Sequence, residues 1–176
     1  MPPPYHGLST YRILGPVPPP TIRLQMPGSL RFRAIAVRVV AEACRLVSRP
    51  DLESDAVSPG YDLTHPFDSS VVSAFAEIFN NIAIHAYGRR GDGTQTIDLG
   101  LWVEPDSITI ELRDRGTPFE IAAVPVPSLD ELHEGGMGIH IARSLLDAVE
   151  YEPGPPNLWR LYKRLVADES RASAGR

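Results

Sequence analysis

Apolar and polar positions alternate from Thr21 to Gln25 in a short strand pattern. Pro27-Gly28-Ser29 then offers a turn and a cap before an apolar-rich run from Leu30 to Val47, which predicts a first helix. Ser48 to Pro66 reads as a loop punctuated by Pro50, Pro59, Gly60 and Pro66. Asp68 or Ser69 can cap a second helix over Val71 to Tyr87, long enough for about five turns. Thr94 to Val103 and Ser107 to Arg113 are β-branched, alternating runs joined by Glu104-Pro105-Asp106, a hairpin signal. Gly116 to Glu134 is a Pro-containing loop of unusual length for a compact domain, and such loops are more often functional or disordered than structural. Gly135-Gly136 opens a third helix over Met137 to Tyr151, and Leu158 to Val166 predicts a final strand. The order strand, helix, helix, hairpin, long loop, helix, strand implies an α+β two-layer sandwich, a mixed and mostly antiparallel sheet with helices packed on one face.

The two ends break this pattern. Residues 1–20 hold Pro2, Pro3, Pro4, Pro16, Pro18, Pro19 and Pro20, seven of the 18 prolines, which removes amide donors and favours extended, solvated backbone. Ala167 to Arg176 lacks apolar periodicity. One domain over residues 21–166, flanked by a Pro-rich tail at 1–20 and a flexible tail at 167–176, is therefore expected of a chain of 176 residues.

Charge and composition remove several function classes. A net charge of −5 argues against a surface built mainly to hold nucleic acid or anionic lipid. One cysteine forms no intrachain disulfide, no Cys/His cluster has zinc spacing, and no apolar run approaches the roughly 20 residues of a membrane span. A soluble, cytoplasmic protein without membrane or direct nucleic-acid partners is the expectation. The only lysine is Lys163, against 16 arginines among the 17 basic residues. That excludes a P-loop and the eukaryotic type of protein kinase, both of which grip phosphates with a lysine.

Three segments could carry chemistry. Glu77, Asn81 and His85 recur every four residues on the second predicted helix, so each step turns the direction by only about 40° and they form one polar stripe. Val71, Phe75, Ile78, Phe79, Ile82 and Ala86 form a broad apolar arc roughly opposite. Taken alone, the stripe reads as a solvated face with ordinary (i, i+4) hydrogen bonds. Asp114-Arg115-Gly116-Thr117-Pro118-Phe119 leaves the hairpin where an Asp can accept hydrogen bonds and a Gly lets backbone approach a flat ligand; taken alone it is a strand exit with a turn. Gly135-Gly136-Met137-Gly138 opens a helix whose free amides suit phosphate, although glycine also serves plain turns.

Together they supply the parts of an ATP site without lysine. An Asn can ligate Mg²⁺, a nearby Glu can deprotonate a hydroxyl, an Asp can read an exocyclic amine and glycine amides can hold phosphates. In Glu77-Ile-Phe-Asn-Asn81-Ile-Ala-Ile-His85-Ala-Tyr87, in Asp114-Arg-Gly116-Thr-Pro118-Phe119, and in the run from Gly135 through Gly138 to Asp147 and Tyr151, the chain resembles the gyrase and histidine-kinase type ATPases of the Bergerat fold. Among them it is most similar to the anti-sigma-factor serine/threonine kinases, over about residues 21–166.

The resemblance implies ATP and Mg²⁺ as cofactors, Glu77 as catalytic base, Asn81 as Mg²⁺ ligand, and Asp114 as adenine reader beside Gly116. Gly135, Gly136 and Gly138 would belong to the lid and phosphate contact, and His85 would lie near the nucleotide. It further implies a protein kinase that binds a sigma factor in one state and phosphorylates a small antagonist protein on Ser or Thr in another, so regulating transcription. Homodimers are common in the family. The alternative, of a different class, is a nucleotide-gated module that sequesters a partner with little or no phosphoryl transfer.

Several positions depart from the family. His133-Glu134 stands where some members place an Arg before the lid glycines, and Asn157 stands where some place a Thr or Ser close to the nucleotide. Outside the motifs, Cys44 reads as a small buried residue, Trp102 and Trp159 as sheet residues, and Arg89 with Arg90 as a solvated turn.

Overall fold

The computed structural model describes residues 18–50, 63–88, 94–119 and 137–166. Strand β1 (Ile22–Pro27) leads through a short 3₁₀ turn (Leu30–Phe32) into helix α1 (Arg33–Ser48). Ser29 caps that turn, its hydroxyl accepting from the Arg31 amide at 3.4 Å. Helix α2 (Pro66–Asn81) continues into a π turn (Ile82–Ala86), and strands β2 (Thr96–Glu104) and β3 (Ser107–Asp114) form the expected hairpin. Helix α3 (Met137–Leu145) is followed by β4 (Ala148–Glu152) and β5 (Asn157–Arg164).

The sheet order is β1-β2-β3-β5-β4, and every pairing is antiparallel. The parallel component of a mixed sheet is thus absent among the described strands, while the two-layer α+β architecture is as the pattern implies. Three differences have local causes. Helix α2 begins five residues before Val71, because buried His65, not Asp68 or Ser69, caps it: its Nδ1 accepts from the Phe67 amide at 3.3 Å, and Pro66 occupies the first turn, where a missing N–H costs nothing. The helix ends at Asn81 and its last predicted turn widens into the π turn.

The third predicted helix breaks at Leu145. The Asp147 amide donates to Tyr162 O at 3.1 Å, and its carboxylate accepts from the Arg164 amide at 2.7 Å, which diverts the chain onto the sheet edge as β4. Apolar Leu146 and Val149 continue the helical spacing of Ile139 and Ala142, so periodicity alone hides the switch.

The core lies between the helices and one sheet face. Phe67, Phe75, Ile78 and Phe79 of α2 pack over Leu99, Leu101, Ile110, Leu112 and Trp159, all essentially sealed from solvent. Burying each such side chain stabilises the fold by about 1.5–3 kcal/mol, so α2 is clamped from below and holds whatever its other face presents. The opposite sheet face is open and carries an ionic row. Buried Glu111 accepts from Arg113 at 2.6 Å and from Arg160 at 2.9 Å, and Arg160 reaches Glu150 at 3.1 Å. No described helix is long and apolar enough to cross a membrane.

Candidate functional site

Glu77 and Asn81 are half-buried at the margin of the apolar face that clamps α2. Beyond Asn81 the ladder changes: the Tyr87 amide reaches back five residues to Ile82 O at 3.2 Å, closing a π turn, a feature frequent at functional sites. The turn presents exposed His85 beside Asn81, and both line a cleft shared with Asp114. Glu77 lies one turn back and does not line that cleft. It faces α3, where a β-carbon on Gly138 would stand 2.6 Å from Glu77 Oε2. The stripe therefore divides, Asn81 and His85 to the cleft and Glu77 to Gly138.

Asp114 closes β3 and is 2 % exposed. Its Oδ1 accepts from the Gly116 amide at 2.8 Å and from Asn157 Nδ2 at 2.9 Å. Burial raises the pKa of Asp114, and the Asn157 and Gly116 donors pull it part of the way back. Gly116 has no room for a side chain, since a β-carbon there would meet Ala86 O at 2.5 Å. The neighbouring Thr117 amide donates to that same oxygen at 3.1 Å, tying the segment after β3 to the π turn. Tyr87 completes the tie: its hydroxyl donates to Thr96 O at 2.8 Å and accepts from the Arg115 amide at 2.9 Å. Burial pushes that hydroxyl's pKa upward, with the Arg115 amide working against it.

An aromatic group forms the cleft's other wall. Tyr151 and Trp159 stack tilted with centroids 4.4 Å apart, Phe119 lies 6.0 Å from Trp159, and the Phe119 amide donates to Tyr151 Oη at 2.7 Å. A cleft lined by a buried carboxylate, an amide, an imidazole and aromatic rings suits a planar heterocycle carrying an amino group.

The structure thus brings together Asn81, His85, Asp114 and Gly116, and places Glu77 against Gly138 nearby. Gly135, Gly136 and the loop that includes His133 lie outside the described residues, as do Arg89 and Arg90. Sequence reasoning placed Asn157 close to the nucleotide by resemblance, as a departure without an assigned role, and gave no site role to Tyr151 or Trp159. The Pro153-Gly154-Pro155-Pro156 turn just before Asn157 was the available signal, because it marks a strand start opposite the end of β3. Cys44 is buried as expected, and burial, then the charge of Asp68, holds its thiol well above the ordinary range.

Among the described residues no group of three or more His, Cys, Asp or Glu could hold a metal ion. Asn81 is a cleft-lining amide able to contribute an oxygen to a divalent ion.

A family model for the histidine kinase-like ATPase domain matches residues 29–159. The chain is 29% identical over 85 residues to the serine-protein kinase RsbW of Oceanobacillus iheyensis, covering 44% of this chain and 52% of that protein. It is 29% identical over 104 residues to the protein of the same name from Halalkalibacterium halodurans, covering 54% and 62%. The matches therefore span about half to three-fifths of these relatives. Among solved structures, the RsbU and RsbW domains of a Mycobacterium tuberculosis protein align with a TM-score of 0.48 at 16% identity, covering 83% of this chain and 33% of that one.

Proposed function

The chain belongs to the histidine kinase-like ATPase domain family, and from that premise we propose that it is an ATP- and Mg²⁺-dependent protein serine/threonine kinase of the anti-sigma type. The observation that carries the reading is the convergence of Asn81, His85 and Asp114 on one cleft, with Glu77 one helical turn away. Adenine enters the slot between the π turn and the aromatic wall and donates its amino group to Asp114. Gly116, which could not carry a side chain, lets the ring lie close to the backbone. Asn81 offers its side-chain oxygen to Mg²⁺, which neutralises phosphate charge when bound. Glu77 takes the proton of a protein Ser or Thr hydroxyl as that oxygen bonds to the γ-phosphorus and the bond to the β-phosphate oxygen breaks, leaving ADP.

The similarity to serine-protein kinases supports serine as the acceptor. A sigma factor captured in one state and a small antagonist phosphorylated in the other are the partners this reading assigns, in the cytoplasm. A second reading rests on a specific observation: no Lys or Arg occurs between Gly116 and Gly138, so the stretch that the family resemblance makes the lid brings no lysine or arginine to the phosphates. On that reading ATP gates the capture of a partner and little phosphate moves.

The deciding experiment pairs binding with transfer. Calorimetry with a nonhydrolysable ATP analogue, with and without Mg²⁺, should give saturable Mg²⁺-dependent binding that Asn81→Ala removes. Glu77→Ala should keep binding and lose transfer of labelled γ-phosphate to an antagonist protein. Binding without transfer by the wild type would select the gated module, and no binding at millimolar nucleotide would refute both readings.

A further inference from the structure

Asn157 is the first residue of β5 and the direct cross-strand partner of Asp114. It is 1 % exposed, and both its amide hydrogens are spent on the chain itself. Nδ2 donates to Asp114 Oδ1 at 2.9 Å and to Gly116 O at 3.1 Å, and Oδ1 accepts from the Gly154 amide at 3.0 Å. Chemistry fixes this orientation, since the flipped amide would set its oxygen against a carboxylate and a carbonyl. With no hydrogen left to offer, Asn157 cannot donate to a ligand. It acts on Asp114.

The Gly116 amide also donates to Oδ1, so that oxygen is saturated and any ligand donor must meet Oδ2. Two donors on Oδ1 also exclude a proton there. A buried carboxyl that took up a proton would carry it on Oδ2 and turn from acceptor into donor. An ionised Oδ2 welcomes the amino group of a 6-aminopurine and repels the carbonyl of a 6-oxopurine. A protonated one reverses the preference.

We infer that Asn157 is the positioning residue that makes this cleft select a 6-aminopurine over a 6-oxopurine, by occupying Asp114 Oδ1 and leaving Oδ2 as the single ionised acceptor. The inference rests on the nucleotide-site reading above and extends it to base selectivity. Tyr151 and Trp159 shape the cleft, and Asp114, braced by Asn157, is the one carboxylate among the described residues that line it.

The test compares dissociation constants for nonhydrolysable analogues of adenosine and inosine triphosphate on the full chain. Wild type should prefer the adenosine analogue by about tenfold or more, the worth of one hydrogen bond to a charged group. Asn157→Thr and Asn157→Val differ from one another by a single hydroxyl. Thr should keep most of the preference and Val should lose it, whatever strain both share. An unchanged ratio in Asn157→Val, with adenosine binding retained, would overturn the inference and leave the nucleotide site standing. A wild type that binds neither analogue would overturn both.

Discussion

Gly138 on α3 stands so close to Glu77 on α2 that an added β-carbon would lie 2.6 Å from Oε2 and 3.4 Å from Glu77 Cβ. The closer contact is with the end of a flexible side chain and the other is ordinary packing, so the carboxylate can swing away while the helices stay in place. Glycine inside a helix costs about 1 kcal/mol relative to alanine. Gly138→Ala should therefore leave melting temperature unchanged or raise it by a few degrees, and should still bind nucleotide. Phosphoryl transfer should fall at least about tenfold as the base is displaced. Thermal denaturation beside a transfer assay checks this, and full transfer by the variant would separate Glu77's position from catalysis.

Gly116 makes the opposite case. Its missing β-carbon would meet the Ala86 carbonyl oxygen at 2.5 Å and the Ala86 β-carbon at 2.6 Å, neither of which can rotate away. Gly116→Ala must push the segment after β3 off the π turn, breaking the Thr117 N to Ala86 O bond. A loss of about 1–3 kcal/mol in stability is expected, together with loss of nucleotide binding. Denaturant unfolding and calorimetry on one preparation would test both, and wild-type affinity in this variant would show that the cleft does not depend on that contact.

The contrast shows how much of the site the chain states openly. Local signals carried the hairpin, the cap at Ser29 and the α2 positions of Glu77 and Asn81, because each depends on residues within a few positions. What remained hidden depends on distant strands. Asn157 meets Asp114 only because β3 and β5 pair, a contact 43 residues apart that no local pattern encodes. Tyr151 reaches the cleft wall only because α3 stops at Leu145 and the chain turns onto the sheet edge, where apolar spacing fitted helix and strand alike. The π turn was equally silent, since Ile82 to Ala86 fits an ordinary helix in sequence, and the Thr117 amide that binds the Ala86 carbonyl comes from a distant segment.

Asp114 gives the site a pH dependence of definite sign. Its pKa is raised from the ordinary 3.8, mainly by burial. The folded state thus holds the proton more tightly than the unfolded chain, and this group's contribution to stability falls as pH rises from the ordinary value through the raised one. Adenine-nucleotide affinity runs the other way, because binding needs the ionised form. Affinity should climb through the same interval and level off above it. His85 lines the same cleft, so the titration is repeated in His85→Asn to isolate the carboxyl. Affinity that stays flat across the acid range in both proteins would remove Asp114 from the binding site.

The Tyr87 hydroxyl joins two backbone groups that lie far apart in the chain, Thr96 O at 2.8 Å and Arg115 N at 2.9 Å, while its ring packs against Gly28. Phenylalanine keeps the ring and removes both bonds, leaving a part-buried carbonyl and an amide unpaired at a cost of about 1–3 kcal/mol. The Arg115 amide neighbours Asp114 and Gly116, so the loss should also loosen the segment that holds the carboxylate. Tyr87→Phe is expected to lower both melting temperature and nucleotide affinity. In a double-mutant cycle with Asn157→Val, the two affinity losses should be coupled, since both residues brace the segment from Asp114 to Gly116. Strict additivity of the binding losses would mean that Tyr87 supports the fold alone and that Asn157 holds Asp114 without its help.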